Sequence, residues 1–214
     1  DLKDLEIEML RLFASQAAIT IENSNLFKLA TVDGLTGLFV RRYFLQRFQE
    51  SLQFASRLGG QPVSLLIFDI DHFKQINDTY GHPEGDKVLA RVSQILRESV
   101  RATDITGRLG GEEFALLLIN TAQAEASRLA EAIREKVAAE VFSLKGDSRS
   151  VTISIGQCSC DAYVISSESL HKKPLNEIAK HDVRQLLTKA DHALYQSKET
   201  GRNRLTIAES LEPS

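Results

Sequence analysis

The sequence predicts an α+β fold, a mostly antiparallel central sheet flanked by helices and preceded by a long N-terminal helix. Three observations carry this expectation. Val63–Ile70 is an apolar run of strand length whose two faces are both apolar, the pattern of a central strand covered on each side. Ile105–Leu109 and Phe114–Ile119 are short apolar segments on either side of Gly110-Gly111, which reads as a hairpin closed by a tight turn in which glycine supplies positive φ. Amphipathic helical patterns surround these strands without strict strand–helix alternation, so antiparallel and crossover pairings should mix.

Taken in order, residues 1–29 read as one long helix. Leu2, Leu5, Met9, Leu12, Gln16, Ile19, Asn23 and Leu26 recur at alternating three- and four-residue steps, a heptad seam. One register is apolar throughout. The other turns polar at Gln16 and Asn23, which would fix the register of paired helices at some cost in stability. The alternative is an amphipathic helix packed on a neighbouring domain. Because the pattern is already under way at Asp1, the sequence is expected to continue a longer chain.

Thr31–Leu38 is turn-rich and marks a boundary. Arg41–Leu58 returns to a helical pattern through Phe44, Leu45, Phe48, Leu52 and Phe54, with Gly59-Gly60 as its C-terminal stop. After the central strand comes a predicted loop holding Asn77, Asp78, Gly81, Pro83 and Gly85, then a helix over Asp86–Val100. Beyond the hairpin, a helix from about Ala122 to Glu140 turns Ala126, Leu129, Ala130, Ile133 and Val137 inward. Ser150–Cys158 alternates as a strand. Ser159–Asp182 is polar and weakly patterned, with a short helix after Pro174, and reads as a surface loop or a partner contact. Val183–Glu199 forms the last helix and Arg204–Ala208 a short edge strand.

Composition narrows the function classes. The chain has 214 residues, 43% of them apolar and 26% charged, enough for one ordinary domain plus an extra segment. A net charge of −3 argues against unspecific binding to nucleic acid or anionic membranes. There is no membrane-spanning apolar run and no signal-peptide pattern at the start. Cys158 and Cys160 suit neither an ordinary disulfide nor a zinc site, which favours a reduced, cytoplasmic setting.

The chemistry is concentrated at two strand ends. Asp69 and Asp71 interrupt the carboxyl end of the central strand and, two apart, share a face. A carboxylate there is rarely tolerated without a partner. Glu112 and Glu113 follow the glycine pair at the hairpin tip. Two like charges about 4 Å apart cost roughly 4 kcal/mol at an effective dielectric of about 20, and a bound cation would remove that cost. Solvated charges on an exposed tip are the plain alternative.

Together these residues carry a resemblance. Asp33-Gly-Leu-Thr-Gly-Leu38, Asp69-Ile-Asp-His-Phe-Lys74, Asn77-Asp78, Gly81-His82, Gly85-Asp86, Gly110-Gly-Glu-Glu-Phe114, Ala190-Asp-His-Ala-Leu-Tyr195, Lys198 and Gly201-Arg-Asn203 resemble the motifs of the GGDEF family of diguanylate cyclases. The resemblance runs from about Asp33 to Ile207 and implies a palm-like nucleotide-cyclase fold over 31–210, with 1–30 as a signalling helix. Phe13–Phe27 is similar to the last helix of a GAF sensory domain, which implies an upstream sensory domain in cis.

The family resemblance further implies a homodimer that joins two GTP into cyclic di-GMP and releases two pyrophosphates. It assigns two Mg²⁺ per active site, or Mn²⁺ in their place, to Asp69, the Ile70 carbonyl and Glu112. Glu112 is also a candidate general base and Glu113 a supporting catalytic position. Lys74 would stabilise charge on the phosphates, Lys198 and Arg202 would hold the triphosphate, and Asn77 and Asp86 would read guanine. Asp86 can accept from the guanine N1–H and amine, which adenine does not present there. Arg101-Ala-Thr-Asp104, separated from Gly110 by five residues, matches the inhibitory product site RxxD, with Arg128 and Arg134 as candidates for a further arginine.

Simpler readings stand beside these. Lys198 and Arg202 suit a helix C-terminus anyway, Lys74 could be a solvated loop residue, and Arg101 with Asp104 could be a surface ion pair. Phe39-Val40 departs from the family by lacking its asparagine, which leaves a weak cap before Arg41. The main functional alternative is a non-catalytic cyclic di-GMP receptor; a cyclase making another dinucleotide is disfavoured by Asp86.

Overall fold

The computed structural model describes residues 2–165, 169 and 174–212, with α1 side chains from Glu8 onward. In chain order the elements are α1 (Leu2–Thr31), β1 (Phe39–Val40), α2 (Arg41–Arg57), β2 (Val63–Ile70), α3 (Phe73–Tyr80), α4 (His82–Glu98), β3 (Ile105–Arg108) and β4 (Glu113–Ile119). There follow α5 (Gln123–Ala139), β5 (Val141–Leu144), β6 (Asp147–Ser150), β7 (Ile153–Cys160), α6 (Leu175–Glu199) and β8 (Leu205–Ile207). Six strands form one sheet in the order β1-β3-β4-β2-β7-β8, and β5 and β6 form a separate hairpin. The three central pairings are antiparallel, and each edge strand, β1 and β8, is added in parallel.

The expected α+β fold with flanking helices is the fold observed, and β2 is its centre. All eight of its residues are buried because both faces are covered. Leu66, Phe68 and Ile70 pack into a core with α3, α4 and α5, while Val63, Leu65 and Ile67 pack with α2 and α6 on the opposite face. β7 beside it is likewise buried throughout, so the expected alternation over Ser150–Cys158 gives way to a strand over Ile153–Cys160 with neither face in water. Cys158 and Cys160 are both free and buried there, and burial pushes the Cys158 thiol up to about 11.

Other differences have local causes. The segment holding Asn77 and Asp78 is the helix α3 rather than a loop, and α4 starts at His82, where Pro83 is tolerated in the first turn. Phe54 lies off the inward stripe and is exposed; Ala55 takes the buried position. The helix expected to start at Val183 instead runs continuously from Leu175. In the polar stretch 159–182, residues 166–168 and 170–173 lie outside the described residues, as do the side chains of Leu2 and Leu5 in the heptad seam. Tyr163 and Asp182 anchor that stretch through a buried hydrogen bond of 2.7 Å.

α1 stands apart from this core. Leu12, Ile19 and Leu26 of the expected seam are exposed. The helix is tied to the domain near its end, where Phe27 packs edge-on to Tyr43 with ring centres 5.6 Å apart. Among the described residues no helix is long and apolar enough to cross a membrane.

Gly156 in β7 lets α6 approach the sheet, since a Cβ there would overlap the Ala190 carbonyl and the Leu194 backbone nitrogen. Backbone cannot step aside as a side-chain tip can. Gly156→Ala is therefore expected to cost about 3 kcal/mol by overpacking, measured as a lower urea midpoint; an unchanged midpoint would show that the two elements separate easily.

Candidate functional site

The sheet delivers Asp69 to the carboxyl end of β2, only 6% exposed. In register, Asp69 faces Glu113 on β4 and Ser154 on β7. Paired antiparallel residues share a face of the sheet, so the pleat sets Glu113 beside Asp69. Glu112 precedes β4 and escapes the pleat. Its carbonyl accepts from the Ile70 N–H at 3.3 Å, which lays the Ile70 and Glu112 backbones side by side. From α6, Lys198 reaches Asp69 with Nζ 2.7 Å from Oδ2.

Electrostatics follow from that gathering. Burial pushes the Asp69 carboxyl up to about 6, the Lys198 ammonium pulls it back down, and the Glu112 and Glu113 charges raise it again. Glu112 exerts the larger of the two repulsions.

Donor chemistry here is carboxylate and backbone carbonyl, the hard oxygen set that divalent cations such as Mg²⁺ prefer. Among the described residues no three His, Cys, Asp or Glu side chains are gathered into a ready-made metal cluster. The expected set, two carboxylates and the Ile70 carbonyl, differs from such a cluster. The Lys198 ammonium already stands against one oxygen of it as a cation.

The turn that presents Glu112 differs from the expected one. Leu109 and Gly110 N–H groups both point to the Glu113 carbonyl, at 2.8 and 3.4 Å, so the loop is longer than a two-residue turn. Neither glycine has positive φ. A Cβ at Gly110 would come within 2.8 Å of Glu113 Oε2, a mobile side-chain tip that can move aside.

What holds the loop is Arg108, which the sequence reading missed. Its Nη2 donates to the Gly111 carbonyl at 2.7 Å and its Nε reaches the Gly110 and Gly111 carbonyls at 3.2 and 3.3 Å. Its Nη1 grips both oxygens of Asp33 at 3.1 and 3.2 Å. Asp33 in turn caps the 33–37 turn through the Thr36 hydroxyl and N–H. Arg41 adds a 3.4 Å bond to the Leu109 carbonyl. The only sequence signal was a lone cation just ahead of the glycine pair.

The remaining expected residues fall in three places. Lys74 is exposed in the first turn of α3. Asn77 lies against Gly85, where a Cβ would overlap its side-chain oxygen, and Asp86 is exposed next door at the α3–α4 corner. Arg202 follows α6 in a turn that Asn203 ties to Asp71 by a 3.0 Å bond, so it returns to the end of β2. Phe73 is core.

Arg101 and Asp104 lie on another part of the surface. The Asp104 carboxylate accepts from the Arg101 N–H at 3.0 Å, and its other oxygen is buried without a hydrogen-bond partner. A cavity of about 400 Å³ opens there, lined by Arg101, Asp104, Thr121, Glu125 and Arg128. Arg134 is committed to Glu131 and Asn203 at 2.6 and 2.9 Å, which leaves Arg128 as the nearer of the two candidate arginines.

Comparison with known proteins places the chain in a family. The sequence model described as "Diguanylate cyclase, GGDEF domain" matches residues 30–204. Diguanylate cyclase A of Treponema denticola is 38% identical over 212 residues, covering 98% of this chain and 53% of that protein. The response regulator PleD of Caulobacter vibrioides is 41% identical over 178 residues, 82% of this chain and 36% of its own length. The chain thus spans about half or less of these curated relatives. Among solved structures, the coiled coil and GGDEF domain of DgcB from Caulobacter crescentus in complex with c-di-GMP superposes with a TM-score of 0.80 at 28% identity, covering 95% of this chain and 99% of that one. The DgcB GGDEF domain alone, also in complex with c-di-GMP, gives 0.72 at 33% identity over 85% of this chain and 94% of that one.

Because Asp69 sits at about 6 in the folded chain against 3.8 unfolded, it favours folding below pH 3.8 and that contribution is lost as pH rises through about 6. Removing the ammonium in Lys198→Ala should raise the Asp69 value further, read by carboxyl-carbon NMR titration of the metal-free protein; a fall would mean the pair is not formed.

Proposed function

The chain belongs to the GGDEF family of diguanylate cyclases, and from that premise we propose that it condenses two GTP into cyclic di-GMP. In each of two steps a ribose hydroxyl attacks an α-phosphate, a new P–O bond forms, pyrophosphate leaves and the hydroxyl proton is taken up. The observation that supports this is the Asp69–Lys198 pair at the end of the buried central strand, with Glu113 opposite Asp69 in register and the Glu112 backbone beside Ile70.

In this reading the Asp69 carboxylate, the Ile70 carbonyl and Glu112 hold Mg²⁺, two ions per site, or Mn²⁺. When bound, the metal neutralises charge on the attacking and leaving oxygens. Glu112 takes the hydroxyl proton and Glu113 supports it by shaping the loop beside Gly110. Lys74 meets the phosphates as a point charge. Lys198, which neutralises Asp69 here, has the reach to meet a triphosphate at the same strand end. Arg202 supplies the planar, forked donor for it. Asn77 and Asp86 read the guanine edge at the α3–α4 corner.

Each domain offers one half-site, so turnover requires two chains. The exposed Leu12, Ile19 and Leu26 of α1 support pairing of residues 1–30 as a signalling helix beneath an upstream sensory domain of GAF type, with 31–210 as the catalytic unit in the cytoplasm. Arg101 and Asp104, with Arg128, would bind the product and restrain the enzyme; the cavity these three residues line supports this.

Incubation with GTP and Mg²⁺ should yield cyclic di-GMP; product binding without turnover would instead identify a receptor. Glu112→Gln should lower turnover by about 10³-fold or more while leaving cyclic di-GMP affinity intact, and retained turnover would refute its role. Arg101→Ala should shift the product-inhibition curve at least about tenfold to higher concentration; an unmoved curve would remove the site.

A further inference from the structure

We propose that Asp71 is a positioning residue for triphosphate binding: its buried carboxylate folds the turn Gly201–Arg202–Asn203 onto the end of β2 and so aims the Arg202 guanidinium. The proposal rests on the triphosphate role given to Arg202 above. Asp71 shares a face with Asp69 and would pass for another metal ligand. Its surroundings say otherwise. Oδ2 accepts from the Thr152 hydroxyl at 2.7 Å and the Asn203 N–H at 3.0 Å, and Oδ1 accepts from the Ser154 hydroxyl at 2.6 Å. With 5% exposure, this carboxylate is spent on protein donors.

The turn it holds is unusual. Gly201, Arg202 and Asn203 have φ of 117°, 60° and 44°, successive residues in a region that non-glycine residues visit rarely. Such a backbone persists only where its surroundings fix it. Before the turn, the Arg202 N–H closes back on the Ser197 carbonyl at 2.9 Å; after it, the Arg204 carbonyl accepts from Ile155 of β7 at 2.9 Å. Between these anchors, the Asn203 N–H has Asp71 as its acceptor. The guanidinium of Arg202 itself makes no hydrogen bond or ion pair with any described residue, and so stands free for a ligand.

Asp71 also fixes the other side of the site. Its own N–H donates to the Thr152 carbonyl at 2.9 Å, and the next residue, His72, turns left-handed with φ 58° to start α3 and present Lys74. One residue therefore joins the β2–α3 connection, through its backbone N–H, to the turn after α6, through its buried carboxylate.

The test compares Asp71→Asn, Arg202→Ala and the double variant, with calorimetric affinity for GTP and for GMP, which lacks the β- and γ-phosphates. Asp71→Asn replaces an acceptor oxygen by an amide and should weaken GTP about tenfold or more, leaving GMP within about twofold. Added to Arg202→Ala, it should cost less than about twofold further, because it acts through that arginine. Full additivity, or equal loss of GMP, overturns the proposal. Hydrogen exchange at the Asn203 amide, expected to accelerate in Asp71→Asn, reads the anchor without nucleotide. If the parent protein fails to bind GTP while that exchange still accelerates, the functional reading fails and the anchor stands; unchanged exchange sinks the anchor. Should Asp71→Asn not fold, Thr152→Val removes one donor of similar shape and should give a smaller loss of GTP with the same sparing of GMP; equal loss of both overturns the proposal.

Discussion

A carboxylate at the end of a strand buried on both faces is the constraint from which the rest of this site follows. Asp69 cannot be solvated like a surface residue, and the sheet register sets Glu113 opposite it while the hairpin loop brings Glu112 alongside. Nearby negative charges in low dielectric are tolerable only with positive charge among them. Lys198 supplies some from α6, the one long helix that packs along β7 and ends beside Asp69. The arrangement is unfavourable for stability, which is how functional sites commonly differ from cores, and it is on this ground that the proposed binding of cations and phosphates rests.

The scaffold holds this arrangement by two polar devices on either side of β2. On the hairpin side, Arg108 joins the Gly110 and Gly111 carbonyls to Asp33, so the loop carrying Glu112 is tied to the turn that leaves α1. On the α6 side, Asp71 joins the end of β2 to the left-handed turn after α6. The first lies between the exposed helix and the loop carrying Glu112, near the corner where Phe27 meets Tyr43.

Much of this was legible in the sequence. β2 was readable to the residue because covering on both faces leaves an uninterrupted apolar run, and the hairpin strands because their apolar segments flank a glycine pair. Asp69 stood out as a carboxylate ending an apolar strand and Glu112 as a charge at the hairpin tip, whereas Lys198 was singled out only through the family resemblance. Illegible parts share one cause, which is that tertiary contacts replace local pattern. β1 is two residues long and exists through pairing with β3. Of the β5–β6 hairpin, β6 is the polar, fully exposed Asp147–Ser150 and has no apolar period to reveal it. α3 is rich in residues that favour turns when isolated, yet packs Phe73 and Tyr80 into the core. Arg108 and Asp71 act across 75 and 132 residues of sequence, beyond any local motif.

The most direct test of the central claim uses Mn²⁺ as a paramagnetic probe of the protein's own carboxyl and carbonyl carbons. Cation binding at the end of β2 predicts that Asp69, Ile70 and Glu112 signals broaden first, at the lowest Mn²⁺, and that excess Mg²⁺ restores them. Uniform broadening over surface acids, or first broadening elsewhere, would contradict a cation site built on the buried strand end.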